Sequence, residues 1–233
     1  MATLQERRGT DVNLRSGPQR REYLAIADRI AADAPGRVLD WGCGWGQMTE
    51  LLKGRGLEVE AFDFRPEAPV EGRQPLERFP AIEAYLSHDP VTLPYADASF
   101  DAVLSCGVLE HVGDPDASLD ELHRILRPGG TLYVYKLPNR FSYLEWVARR
   151  IGTIYWHGKL PDDRLYDKRI ATGIARRHGF TVREFKRTNL LPLTIDHPVV
   201  ARMSGPIWAV NRGLRYVPGL SLLATNVELV LER

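Results

Sequence analysis

The stretch Val38-Leu39-Asp40-Trp41-Gly42-Cys43-Gly44-Trp45-Gly46-Gln47 decides the fold. Arg37 to Asp40 is a short run with an apolar centre, which predicts a buried strand. Glycines follow at 42, 44 and 46, and then a helix through Met48, Leu51 and Leu52 that stops at Gly54. A strand feeding a glycine turn and then a helix lets the backbone approach a ligand closely. A dinucleotide fingerprint of the form G-x-G-x-x-G, begun at Gly42, needs its third glycine at position 47, which is Gln47. The sequence reads D-x-G-x-G-x-G instead. The carboxylate of Asp40, at the strand end beside the turn, repels a pyrophosphate and suits a ligand that carries an ammonium group.

Working outward, Leu57 to Phe62 predicts a second strand ending at Asp63. Arg65 to Pro80 holds four prolines and is poorly helical. A short third strand near Ile82 to Leu86 ends before Asp89. Phe100 to Cys106 is mostly apolar, as a strand buried on both faces is. Asp114 to Leu126 is amphipathic and is closed by Pro128, Gly129 and Gly130, and Thr131 to Tyr135 is a fifth strand. Upstream, Tyr23, Ile26, Ala27, Ile30 and Ala31 recur at helical spacing between Arg21 and Ala32, after a flexible tail over residues 1–20. Downstream, a helix over Leu165 to His178 ends at Gly179, and Thr181 to Lys186 and Thr225 to Leu231 read as strands. Strands alternating with helices predict an α/β, Rossmann-like, doubly wound and mostly parallel seven-stranded sheet. Helices cover both faces, and an insertion separates the last two strands. Residues 21–233 are expected to form one domain, with candidate insertions at 137–165 and 190–223.

Composition narrows the function classes. The chain has 233 residues, 44% hydrophobic and 26% charged, which is ordinary for a globular protein. Its formal net charge of +1 lacks the basic field of a dedicated nucleic-acid binder, so no nucleic-acid partner is expected. Two cysteines, Cys43 and Cys106, are too few for a disulfide framework or a zinc cluster. Charged residues Glu6, Arg7, Arg8, Asp11 and Arg15 fall where a signal core would need apolar ones. Arg202, Arg212 and Arg215 cut the apolar stretches near the C-terminus below the ~18 residues a membrane span requires. The expectation is a cytoplasmic protein, monomeric or homodimeric.

The glycine segment resembles motif I of class I S-adenosylmethionine-dependent methyltransferases, especially those of ubiquinone and menaquinone biosynthesis. Further motifs in the same order extend the resemblance from about Arg37 to Leu137. Ser87-His88-Asp89-Pro90-Val91-Thr92-Leu93-Pro94-Tyr95 looks like the next motif, Asp97 to Val103 like the entry into the fourth strand, and Arg127-Pro128-Gly129-Gly130 like the turn before the fifth. The resemblance implies S-adenosyl-L-methionine as cofactor. Asp40 and the Gly42 backbone would hold the methionine ammonium, with Cys43 in the same loop. Gly44 and Gly46 would let the backbone pass close to the ligand. Asp63 would accept from both ribose hydroxyls, and Phe64 would pack on adenine. Asp89 would accept from the adenine amino group. Pro90 departs from the pattern, because it lacks the backbone N–H that the family often uses there. Ser105 and Cys106 would face the methionine.

The activity so implied is methyl transfer to a small molecule by in-line displacement. The cofactor carries the hard chemistry and the protein supplies orientation. A hydroxyl acceptor also needs a base, and His111, in Leu109-Glu110-His111-Val112, is the candidate. Similar quinone O-methyltransferases that bind a divalent metal carry an extra Glu three residues before this Glu-His pair. Here that position is Gly107, so no metal is expected. Asn139, Arg140, Tyr143, Tyr155, Trp156 and His157 are candidate acceptor-pocket residues, and Asp196 with His197 is a second candidate acid–base pair. Ile207, Trp208, Val210, Leu214, Val217 and Leu220 make the 190–223 insertion a lid, a substrate wall or added core. Two competing readings remain: a non-catalytic module that binds S-adenosylmethionine, and a nicotinamide-dependent oxidoreductase, which Gln47 and Asp40 disfavour.

Overall fold

The structure, a computed structural model, describes residues 17–33, 36–64, 83–144, 146–147, 164–193, 197–214, 216–217 and 219–233. Helix α1 spans Gly17–Asp33, β1 Arg37–Trp41, α2 Gln47–Lys53, β2 Glu58–Phe64, β3 Ala84–Ser87 and β4 Phe100–Cys106. Then come α3 at Pro115–Ile125, β5 at Leu126–Pro138, α4 at Lys168–Arg177 and β6 at Thr181–Thr188. Short helices α5 (Pro198–Arg202) and α6 (Ser204–Leu214) and a 3-10 turn at Leu220–Leu223 precede β7 at Asn226–Glu232.

The seven strands form one sheet in the order β3-β2-β1-β4-β5-β7-β6. Strands β1 to β5 pair in parallel, and β7 runs antiparallel to both β5 and β6. The order therefore turns back on itself between β1 and β4. In open sheets of this kind, ligands bind outside the carboxyl ends of the strands at that point.

Alternation along β4 and β5 divides the core. Phe100, Val103, Leu132 and Val134 pack with Leu119, Leu122 and Ile125 of α3 and with Ala171, Ile174 and Ala175 of α4. Ala102, Leu104, Tyr133 and Tyr135 face the other way, onto Tyr23, Ile26, Ala27 and Ile30 of α1 and Met48 and Leu52 of α2. Each fully buried leucine or isoleucine contributes about 1.5–3 kcal/mol. Side-chain caps fix two of the helix starts: Asp114 accepts from the Ala117 N–H at 3.0 Å, ahead of Pro115, and Asp167 accepts from the Ile170 N–H at 2.9 Å.

Three boundaries differ from expectation. Helix α1 starts at Gly17, so residues 17–20, read as tail, are helical, and Pro18 is buried. Gly17 lies against α6, where a Cβ would come within 2.9 Å of Ser204 Cβ. Strand β5 begins at Leu126, ahead of Pro128, Gly129 and Gly130, and the expected turn lies inside its bounds: Leu126 pairs with Phe100 and Thr131 with Ala102, and Gly129 between them has φ 78°. Gly129 N–H donates to Arg233 O at 3.0 Å and Arg233 N–H to Gly130 O at 2.9 Å. The 190–223 insertion folds as α5, α6 and the 3-10 turn. It docks on α1 through polar contacts, with Arg21 Nε donating to Ser204 Oγ at 3.2 Å and only Ser204 and Asn211 buried in α6. Val210 and Val217 are exposed, so these two add nothing to the core. Among the described residues, no helix is long and apolar enough to cross a membrane.

Candidate functional site

The glycine loop crosses the carboxyl ends of β1 and β2. Gly42 and Cys43 donate their N–H groups to Phe62 O at 2.8 and 2.9 Å, which folds the loop back over β2. Gly42 has φ 74°, and a Cβ there would meet Val108 Cγ2 at 2.4 Å, so neither the conformation nor the space admits a side chain. Gly44 is also left-handed, at φ 53°, but no described residue other than its chain neighbours lies within 4 Å of where its Cβ would be. Its N–H donates to Asp63 Oδ2 at 2.7 Å, while Asp63 Oδ1 accepts the Phe64 N–H at 2.8 Å. The loop thus encloses open space on the ligand side of Gly44, with a strand-end carboxylate beside it.

Asp40 is buried behind this loop, 2% exposed, and accepts the Thr49 hydroxyl at 2.5 Å. Burial pushes its carboxyl up to about 6. The Thr49 hydrogen bond opposes the rise, and the nearby Asp63 charge adds to it. Burial also pushes the Cys43 thiol up, with help from Asp40 and Asp63, so Cys43 is a packing group and no nucleophile at neutral pH. Among the described residues, Gln47 Oε1 and Ser105 Oγ, at the start of α2 and at the end of β4, are buried without hydrogen-bond partners. Ser105 pairs in register with Trp41. An orphaned amide oxygen, an orphaned hydroxyl and a buried acid held by Thr49 suit a polar ligand that brings donors and positive charge.

The remaining sequence-derived positions are spread around this loop. Phe64 is 39% exposed at the end of β2. Asp89 is exposed, and its carboxylate accepts the Val91 and Thr92 N–H groups at 2.9 Å each, which holds it below the usual carboxylate range. Pro90 is exposed next to it. Cys106 ends β4 on the α1 side, its thiol pushed up by burial.

His111 sits in the loop after β4, half-buried, with Nε2 3.7 Å from Glu110 Oε1. That loop is clasped from outside its own sequence. Arg164 donates its backbone N–H to Glu110 O at 3.2 Å and its guanidinium to the Val112 and Gly113 carbonyls. The Tyr166 hydroxyl donates to Leu109 O at 3.3 Å. Asn139 is fully buried, and its amide nitrogen donates to Leu222 O at 2.8 Å and Ala224 O at 2.7 Å, tying β5 to the turn before β7. Arg140 is exposed and pairs with Asp167 at 3.3 Å, and Tyr143 is half-buried. Tyr155, Trp156, His157 and Asp196 lie outside the described residues. His197 is exposed and caps α5 by accepting the Val199 N–H at 3.3 Å.

Sequence reasoning did not single out Thr49, Val108, Glu110 or Arg164. Thr49 carried a weak signal, as a polar residue on the buried side of a short helix. Arg164 carried none, since its partners are main-chain atoms some fifty positions away.

Residues 39–134 match the family model described as a methyltransferase domain. A demethylmenaquinone methyltransferase of Renibacterium salmoninarum is 34% identical over 147 residues, covering 60% of this chain and 60% of the relative. A ubiquinone biosynthesis O-methyltransferase of Xylella fastidiosa is 38% identical over 152 residues, covering 62% and 57%. The matched part is thus less than two thirds of the length of these relatives. Among solved structures, a SAM-dependent methyltransferase of Thermotoga maritima, named as a possible histamine N-methyltransferase, superposes with a TM-score of 0.58 at 20% identity. That superposition covers 90% of this chain and 88% of that one. Residues 39–134 thus resemble the methyltransferase domain family, and the chain shares its fold with this SAM-dependent methyltransferase.

Proposed function

We propose that the protein is an S-adenosylmethionine-dependent methyltransferase acting on a small molecule. The observation that carries this reading is buried Asp40 behind an open glycine loop. A carboxyl raised to about 6 becomes a full anion at neutral pH when an ammonium group is brought to it, which a pyrophosphate does not do. Bound S-adenosylmethionine supplies a methyl group on a sulfonium, open to in-line displacement.

The chain's own residues hold and orient. Asp40 and the Gly42 backbone take the methionine ammonium, and Gly44 and Gly46 leave the backbone bare for close approach. Asp63 takes the ribose hydroxyls, exposed Phe64 lies against adenine, and Asp89 accepts from the adenine amino group. Pro90 leaves that end one backbone donor short. Ser105 and Cys106 border the methionine part. His111 is the candidate base for a hydroxyl acceptor, with Glu110 Oε1 3.7 Å from its Nε2. The quinone-pathway relatives and exposed Phe141 and Trp146 beyond β5 favour a planar aromatic acceptor. Cys43 and Cys106, both free, fit a reducing compartment, the cytoplasm in this reading.

The test is calorimetric binding of S-adenosylmethionine, S-adenosylhomocysteine and NAD, with Asp63→Ala as control. Binding of the first two, lost in the variant, supports the reading. Binding of NAD alone, or of none of the three, refutes it.

A further inference from the structure

The end of β5 contains a feature that the methyltransferase reading does not use. Val134 pairs with Leu229 and Leu137 with Val227, so Tyr135 and Lys136 together stand opposite Glu228 alone. This is a β-bulge, and Lys136 occupies it with φ 65°. The bulge turns two successive side chains to the same face. Tyr135 packs in the core under α1, and the Lys136 ammonium lies 4.2 Å over the Tyr23 ring and 3.0 Å from Glu22 Oε2. Leu137 then returns to the opposite core.

Both charges are withdrawn from water, the Lys136 side chain 16% and the Glu22 side chain 9% exposed. Glu22 Oε1 also accepts from the Asn189 amide, and Asn189, itself left-handed at φ 68°, receives the Thr225 N–H on its carbonyl at 2.9 Å. The N-terminal half of α1 is therefore held at one point by β5 and by the turn after β6. Stability does not explain the device. A left-handed non-glycine residue costs about 1 kcal/mol, and a buried ion pair is commonly no better than apolar packing of the same volume. Bulges that re-aim a side chain are over-represented beside active sites.

The place of the pair gives it a use. Cys106 pairs in register with Tyr135, the residue before Lys136, Gly107 N–H donates to Tyr135 O at 3.0 Å, and the preceding Ser105 pairs with Trp41 at the start of the glycine loop. The pair thus borders the carboxyl ends of β4 and β5, one strand beyond the point where the sheet order turns back.

We infer that Lys136 is a positioning residue: through Glu22 it holds the N-terminal half of α1 as one wall of the cofactor site. The inference rests on the methyltransferase reading above. It says that affinity for the cofactor depends on a charge pair that does not touch it.

The experiment measures S-adenosylhomocysteine binding by calorimetry, at a temperature where each variant is folded, together with amide hydrogen exchange over residues 17–23. Lys136→Met leaves Glu22 buried and uncompensated, and is expected to weaken binding by about tenfold and to speed exchange in α1. Glu22→Gln/Lys136→Met removes both charges and is expected to recover binding to within about threefold of the unmodified protein. A lowered melting temperature with unchanged affinity in Lys136→Met makes the pair merely structural and overturns the inference. If Lys136→Met does not fold, Glu22→Gln alone decides, since it keeps the size of the side chain while removing the charge and turning one of the two accepting oxygens into a donor. Binding at least about fivefold weaker supports the inference, and unchanged binding overturns it. Failure of the unmodified protein to bind S-adenosylhomocysteine overturns the methyltransferase reading, and this inference with it. Normal binding that Lys136→Met leaves intact overturns this inference alone.

Discussion

The Thr49 hydroxyl donates to Asp40 Oδ2 at 2.5 Å, so that the helix after the glycine loop reaches back to the acid before it. The loop is closed from behind by this contact, and Asp40 is left with burial working against its charge.

A pH dependence of ligand binding follows. Burial pushes the Asp40 carboxyl up to about 6, so below that pH the ligand-free form is mostly protonated. An ammonium-bearing ligand favours the ionised form, lowers that pKa and releases a proton on binding. S-adenosylhomocysteine affinity is therefore flat above pH 7 and falls below pH 6, approaching tenfold per pH unit. Calorimetry at pH 5.5 in two buffers of different ionisation enthalpy measures the released proton. Thr49→Val removes the bond that holds the pKa down and moves the midpoint upward, while Asp40→Asn abolishes the dependence. Affinity that is level from pH 5 to 8 would show that Asp40 does not meet the ligand.

Gly44 and Gly56 form a matched pair. Both are left-handed, at φ 53° and 80°, and among the described residues other than their chain neighbours neither has an atom within 4 Å of its missing Cβ. Alanine at either position costs about 1 kcal/mol in backbone strain. Only the Gly44 methyl enters the ligand space. Gly44→Ala and Gly56→Ala should lose similar stability in denaturant titrations, while Gly44→Ala alone weakens S-adenosylhomocysteine binding by an order of magnitude or more. Equal binding by the two variants would count against the glycine-loop site.

Asn139 closes β5 by donating from one amide nitrogen to the carbonyls of Leu222 and Ala224, at 2.8 and 2.7 Å. Asn139→Ala leaves two acceptors without donors in a closed environment, a loss of about 3 kcal/mol. In a chain of this size that lowers Tm by roughly 10 °C. The readout is thermal unfolding. A Tm within a degree or two of the unmodified protein would mean that water replaces the amide there.

What the sequence disclosed and what it hid follow from the range of the forces involved. The β1–loop–α2 unit was legible because its determinants are local: an apolar run, glycines with positive φ and a helix stop at Gly54. Strand β4 was read with its observed limits, since a strand buried on both faces is a continuous apolar run. Residues 126–130 were read as helix end and turn because Pro128-Gly129-Gly130 carries that local signal. The turn is there, with Gly129 at φ 78°, but pairing of Leu126 with Phe100 and of Gly129 and Gly130 with Arg233, about a hundred positions away, extends the strand through it. The bulge at Lys136 was invisible for the same kind of reason. It is defined only by the register of β5 against β7. In the site, Asp40 and Asp63 stood out as acids at strand ends. Thr49 and Arg164 act through partners that no spacing rule connects to them.

The surface offers a test of the fold's electrostatics away from the cleft. His178, at the end of α4, lies between two carboxylates of α3, with Nδ1 2.6 Å from Asp120 Oδ1 and Nε2 2.7 Å from Asp116 Oδ1. Burial alone lowers its pKa, but the hydrogen bonds to Asp120 and Asp116 outweigh that and raise it above the ordinary 6.5. A group whose folded pKa exceeds its unfolded value stabilises fully below the unfolded value, and that stabilisation disappears as pH rises through the folded one. The ion pair joining α3 to α4 is thus complete below pH 6.5 and fades above it. Both aspartates are well exposed, so the effect is modest and screened by salt. The difference in Tm between the unmodified protein and His178→Gln, followed from pH 5 to 9, should be largest at the acid end and shrink steadily as pH rises. A difference that grows with pH would show that His178 is held neutral and acts only as a hydrogen-bonded spacer between the helices.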